Sequence, residues 1–148
     1  MSTANVQLAN MPIDSDLACI NNSATDIPAF TVVIVDATNT ITNSLTTLAT
    51  QIGVSLPATG GNPSIGLGIT QEIIKANAVS SGRVRVAGVS QATGDGTCTA
   101  GQILDVSVTT AGRVKAHTAG KYSFCQALST CADTEQLIVL LGFIAPNA

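Results

Sequence analysis

Residues 81–141 read SGRVRVAGVSQATGDGTCTAGQILDVSVTTAGRVKAHTAGKYSFCQALSTCADTEQLIVLL, and this stretch decides the fold. Short apolar runs alternate with small, polar, glycine-bearing turns. Val84, Val86 and Val89 form the first run, residues 103–108 the second, and Val114 with Ala116 the third. Tyr122, Phe124 and Leu128 follow, and residues 137–141 close the set. Gly94-Asp95-Gly96, read as a hairpin turn, Ala111-Gly112 and Ala119-Gly120 punctuate them. Strands recurring every ~8–12 residues between turn signals predict a mainly β protein, a small antiparallel sandwich or barrel of tulip-like form with at most one short helix.

Working outward, Phe30-Thr31-Val32-Val33-Ile34-Val35 is dense in β-branched residues and predicts a strand. In residues 41–52, Ile41, Leu45, Leu48 and Ile52 recur at a helical period, while the many threonines favour a strand; a weak helix or an irregular insertion is expected. Residues 53–68, rich in glycine and proline, read as a loop ending in the alternation Ile65, Leu67, Ile69. Residues 71–79 suit a short strand or one turn of helix. Residues 1–28 carry no sustained period and read as an extended N-terminal arm, with Leu17, Cys19 and Ile20 as an isolated anchor. The β-rich domain is then 29–148.

The 148 residues suffice for one domain with its own core. Hydrophobic residues make up 45% of the chain and charged residues only 10%, far below the average near 25%. So few charges, on a surface of roughly 7,000 Å² expected from the mass, point to burial against other chains. The charge is also uneven. Residues 1–74 carry five acids and no Lys or Arg (−5), residues 75–148 six bases and four acids (+2), matching the net −3. Such asymmetry suits contacts between subunits. Nucleic-acid binding is not expected, since there is no basic run and only Phe30, Tyr122, Phe124 and Phe143 could stack on bases. No membrane association is expected: the longest apolar stretch, 137–145, falls far short of the ~20 residues that cross a bilayer. The N-terminus lacks the basic and apolar regions of a signal peptide, which places synthesis in a cytoplasm.

No catalytic residue, cofactor or metal ligand is expected. His117 is the sole histidine, so any serine or cysteine nucleophile would need it as base, and no serine lies in a G-x-S-x-G setting. Asp14 and Asp16 lack the glycine and distal glutamate of a calcium loop. Cys19, Cys98, Cys125 and Cys131 match no zinc spacing and read as small buried hydrophobes, with Cys125 and Cys131 placed where they could face each other across a hairpin.

Residues 81–141 resemble the head-decoration (capsid cement) proteins of tailed bacteriophages. The pieces that carry the likeness are Val84-Arg85-Val86-Ala87-Gly88-Val89, Ala100-Gly101-Gln102 with its following strand, Ala111-Gly112-Arg113-Val114-Lys115-Ala116, Cys125-Gln126-Ala127-Leu128 and the closing strand 137–141. Cys125 stands where the family has glycine, and residues 37–64 are an insertion without a counterpart. The resemblance implies a homotrimer, made in the host cytoplasm, that sits on the outer surface of the expanded head and stabilises it by bridging major capsid protein subunits. On that reading Leu17 and Ile20 of the arm, with Arg83, Arg85 and Arg113, are the expected capsid or subunit contacts. The alternative is a β-rich, trimeric receptor-binding or fibre-associated virion protein.

Overall fold

The computed structural model describes residues 14–36, 38 and 52–142. The first half of the expected arm, the tail and all of the ambiguous 41–52 segment but Ile52, which begins a strand, lie outside the described residues. Nine strands are present: β1 (Ser15–Ile20), β2 (Val32–Val35), β3 (Ile52–Ser55), β4 (Gly68–Thr70), β5 (Gly82–Thr93), β6 (Ile103–Val106), β7 (Val114–Ala116), β8 (Cys125–Ala127) and β9 (Gln136–Leu141). A single 3-10 turn, Ala76–Ala78, is the helical content of the described residues. The expected mainly β, antiparallel class is what the chain adopts.

The strands join in the order β1-β3-β2-β4-β5-β9-β8-β6-β7, all antiparallel except β1–β3. An additional β1–β5 pairing closes the first five strands into a ring. The remaining strands nearly close a second ring, because Gly94, just past β5, bridges Val114 of β7. Strand β5 therefore belongs to both rings. Its first half pairs with β1 and β4, and its second half, from Gly88, pairs with β9. The buried residues of this 12-residue strand all fall at even positions, and along that line Val84 lies in one core and Ala92, eight residues on, in the other.

Each ring encloses a core. Cys19, Ile27, Val33, Val54, Ile74 and Val84 fill the first. Leu104, Val106, Val114, Leu137, Val139 and their neighbours fill the second, and Val32 and Ile69 project into it from the first ring. The adjacent residues Val32 and Val33 thus serve different cores. That position explains the start of β2, where Val32 and Val33 are buried on opposite faces and no polar residue alternates, while Val35 at its end is exposed. The turn leading into β2 is held by Thr70, a buried hydroxyl that donates to Pro28 O at 2.7 Å and accepts from Thr31 N at 3.0 Å. Phe30 adopts φ 58°, a left-handed conformation that the Thr70 contacts hold in place.

Three expectations differ from the structure. Gly94-Asp95-Gly96 is no hairpin turn, since β5 pairs with β9 and β6 pairs with β7 and β8. Residues 53–55, placed in a loop, belong to β3. Ser15–Ile20, placed in the arm, is strand β1, pairing Leu17 with Val84 and Cys19 with Ile52. Its two inward residues gain their core from β3 and β5, far away in sequence. Gly88, at φ +100°, permits the local geometry: a Cβ there would overlap Asp14 Oδ1 and lie 2.9 Å from Asp14 Cα.

Candidate functional site

The residues expected at a capsid contact fall in two places. Leu17, Ile20, Arg83 and Arg85 sit together on the β1–β5 pair. Leu17 packs on the first core, and Ile20 is half-buried. Register places Arg85 opposite Asp16, and their side chains meet: Arg85 Nε donates to Asp16 Oδ1 at 2.9 Å. Its Nη1 lies 3.2 Å from Asp14 Oδ2 and donates to Val89 O at 2.7 Å. The hydrogen bond to Asp16, with the charges of Asp16 and Asp14, pushes the Arg85 guanidinium above its ordinary range although partial burial opposes this. Arg83 is more exposed and approaches Glu72 at 3.6 Å and Asp16 at 3.9 Å. Arg113 lies in the second ring, before β7. Arg113 and Lys115 make no ion pair among the described residues, while Lys75, Arg83 and Arg85 each do.

The polar side chains of the second ring divide into two networks. Asp105, 1% exposed, accepts from Thr118 N at 2.9 Å and meets His117 Nδ1 at 2.6 Å, locking β6 to the end of β7. Ser107 instead bonds the Asp95 carboxylate and accepts from Thr109 N and Thr110 N at 3.0 and 3.2 Å. Histidine and serine therefore address different carboxylates. Asp95 N also donates to Val114 O at 2.7 Å, so this network closes the second ring.

The seam between the rings carries a feature that the sequence reading did not single out. A recess of about 220 Å³ opens there. Leu67 and Val86 from the first ring and Phe124 and Leu141 from the second line it, and Ile65 and Tyr122 stand at its rim. Ile65 is 71% exposed and Tyr122 59%, while Val79, outside the recess, is 76% exposed. The lining holds no carboxylate, imidazole or thiol. Gly66 makes the seam tight, since a Cβ there would lie 2.5 Å from Phe124 Cε2. Tyr122 also walls a second recess of about 300 Å³, shared with Asn62, Pro63, Gly120 and Lys121, where Lys121 Nζ bonds Asn62 Oδ1. Such a surface offers apolar insertion and a few hydrogen bonds to a partner's side chains. The sequence signal was Tyr122, one of four aromatics, set directly after the Gly120 turn.

No protein-family model and no curated protein matches the sequence. Among solved structures, the N base of the head fibre protein gp8.5 of bacteriophage phi29 is similar in fold, with a TM-score of 0.60 over 88% of this chain and 95% of that one. The two share 9% sequence identity, so the likeness is one of fold.

Proposed function

We propose that this chain is a structural, non-enzymatic protein of a bacteriophage virion, carried on the outer surface of the head and bound to the major capsid protein and to its own copies as a homotrimer. The observation that carries the reading is the fold shared, almost end to end, with a phage head-fibre base. The scarcity of charge and the exposed apolar seam at Ile65 and Tyr122 support it, since both suit a surface that is covered in an assembly. Bridging would act by adding buried area that exists only on the assembled shell. At about 25 cal/mol per Å², a few hundred apolar Å² per copy, repeated over many copies, stabilises a head appreciably even after association costs.

A second reading, the base of a head fibre rather than a bridge between capsid subunits, is favoured by the same neighbour. Sedimentation of virions on a density gradient tests what the two readings share: the protein should co-migrate with the major capsid protein at a fixed ratio, and recovery only as a free small oligomer refutes both. Heads lacking the protein separate them, because loss of heat resistance supports the bridge and unchanged resistance supports the fibre base. Among the residues expected at the contact, Arg113 suits an acidic partner best, since Arg83 and Arg85 already face Asp14, Asp16 and Glu72.

A further inference from the structure

Cys98 and Cys131 form an isolated antiparallel bridge between the β5–β6 and β8–β9 connections. Cys98 N donates to Cys131 O at 3.1 Å and Cys131 N donates to Cys98 O at 2.9 Å. This reciprocal pairing fixes the two Cα atoms at ~5.5 Å, inside the ~4.4–6.8 Å that a disulfide spans. Both side chains turn into the second core, 0% and 3% exposed, and the Cys98 thiol donates to Gly96 O at 3.8 Å. Gly94 leaves the space they occupy, since a Cβ there would lie 2.7 Å from Cys131 Sγ. All four cysteines are free thiols here, and the sequence-level pairing of Cys125 with Cys131 is not the one the ladder aligns.

We propose that Cys98 and Cys131 are the site of a latent disulfide, closed by a small-molecule disulfide oxidant such as oxidised glutathione. When local opening exposes the pair, one cysteine thiolate attacks a sulfur of the oxidant, releasing one glutathione thiolate and leaving a mixed disulfide. The second cysteine then displaces the other glutathione. The pair loses two protons and two electrons, and the oxidant is reduced to two glutathiones. The bond would tie the two connections at the tip of the second ring, closing a loop of 34 residues (98–131). Burial and the neighbouring Cys131 push the Cys98 thiol up to about 11, so closure is slow at neutral pH and faster in alkali. The inference stands on this geometry and not on the proposed function.

The test uses the full chain, incubated with oxidised glutathione at pH 9, then denatured, alkylated and mapped by mass spectrometry. A peptide pair linked through Cys98 and Cys131, with Cys19 and Cys125 still alkylated, is the expected result. The unfolding midpoint should rise by roughly 10 °C and return on reduction with dithiothreitol. Four alkylated thiols, a glutathione adduct that never resolves, or a link through Cys125 would each overturn the proposal. Cys131→Ser serves as a control that must abolish the linked pair, and the wild-type map decides the matter even if that variant folds poorly.

Discussion

Replacing Gly88 by alanine tests whether the handover of β5 between the rings depends on the close approach of Asp14. Gly88 has φ +100°, and its missing Cβ makes room for the Asp14 carboxylate, which accepts a hydrogen bond from Val89 N at 3.0 Å. An alanine must either hold an unfavourable backbone conformation, costing ~1–2 kcal/mol, or push Asp14 away. The second route loses the Asp14–Val89 bond, worth ~1 kcal/mol at an exposed site, and loosens the Asp14–Arg85 contact at 3.2 Å. By either route the fold is destabilised by about 1–2 kcal/mol, read as a lower urea midpoint at unchanged slope. A cycle with Asp14→Ala isolates the cause. If the overlap with Asp14 dominates, the double variant is less destabilised than the sum of the single variants by ~0.5 kcal/mol or more. A cost below ~0.5 kcal/mol for Gly88→Ala, or strict additivity with Asp14→Ala, would refute the reasoning.

Other expectations follow from single sites. Thr70→Val keeps the shape but strips the hydroxyl that holds Pro28 and Thr31, and should cost ~1–3 kcal/mol in denaturant unfolding; a neutral result would mean the Phe30 turn stands without it. Ile65→Ser with Tyr122→Ser should leave stability within ~0.5 kcal/mol while weakening self-association or head binding, measured by sedimentation. The folded-state pKa of Asp26 is lowered, chiefly by the hydrogen bond from Lys75, so its contribution is present above the ordinary carboxylate value of 3.8 and lost as pH falls through the lowered one; an Asp26→Asn variant should match wild type only at the acid end. Burial raises the Cys19 thiol from 9.0 to about 11, so stability should fall between those pH values as the unfolded chain releases its proton first, and Cys19→Ala should flatten that decline.

The part of the fold that was legible is the part whose signals are local. Strands β6, β7 and β9 announce themselves by short apolar runs between glycine turns, and β2 by a run that two cores explain. Strands β1 and β3 were not legible. Leu17 and Cys19 are the inward residues of β1, and nothing near them in sequence reveals that β3 and β5 complete their surroundings. Residues 53–55 sit among serine, glycine and proline, and β3 is held by backbone pairing to β2 and β1. The candidate site was hidden for a similar reason. Tyr122 and Phe124 look equivalent at a spacing of two, yet both precede β8, where the chain holds Phe124 against the core and leaves Tyr122 outside. Arg85 was read as a capsid or subunit contact because the partner it meets within the chain, Asp16, lies 69 residues away.

The closure of the first ring through β1 also sets a timetable. Ile20 is synthesised 62 residues before Gly82 of β5. At ~5–20 residues per second, that separation is about 3–12 s. During that interval β1 has no β5 to join, and the second ring waits longer still, because its β9 begins only at Gln136, after β5 has ended at Thr93. The first ring, whose strands are all made by Thr93, can therefore seal before β9 exists, and hydrogen exchange on stalled nascent chains should show protection at Leu17 and Cys19 before it appears at Val89 and Val139.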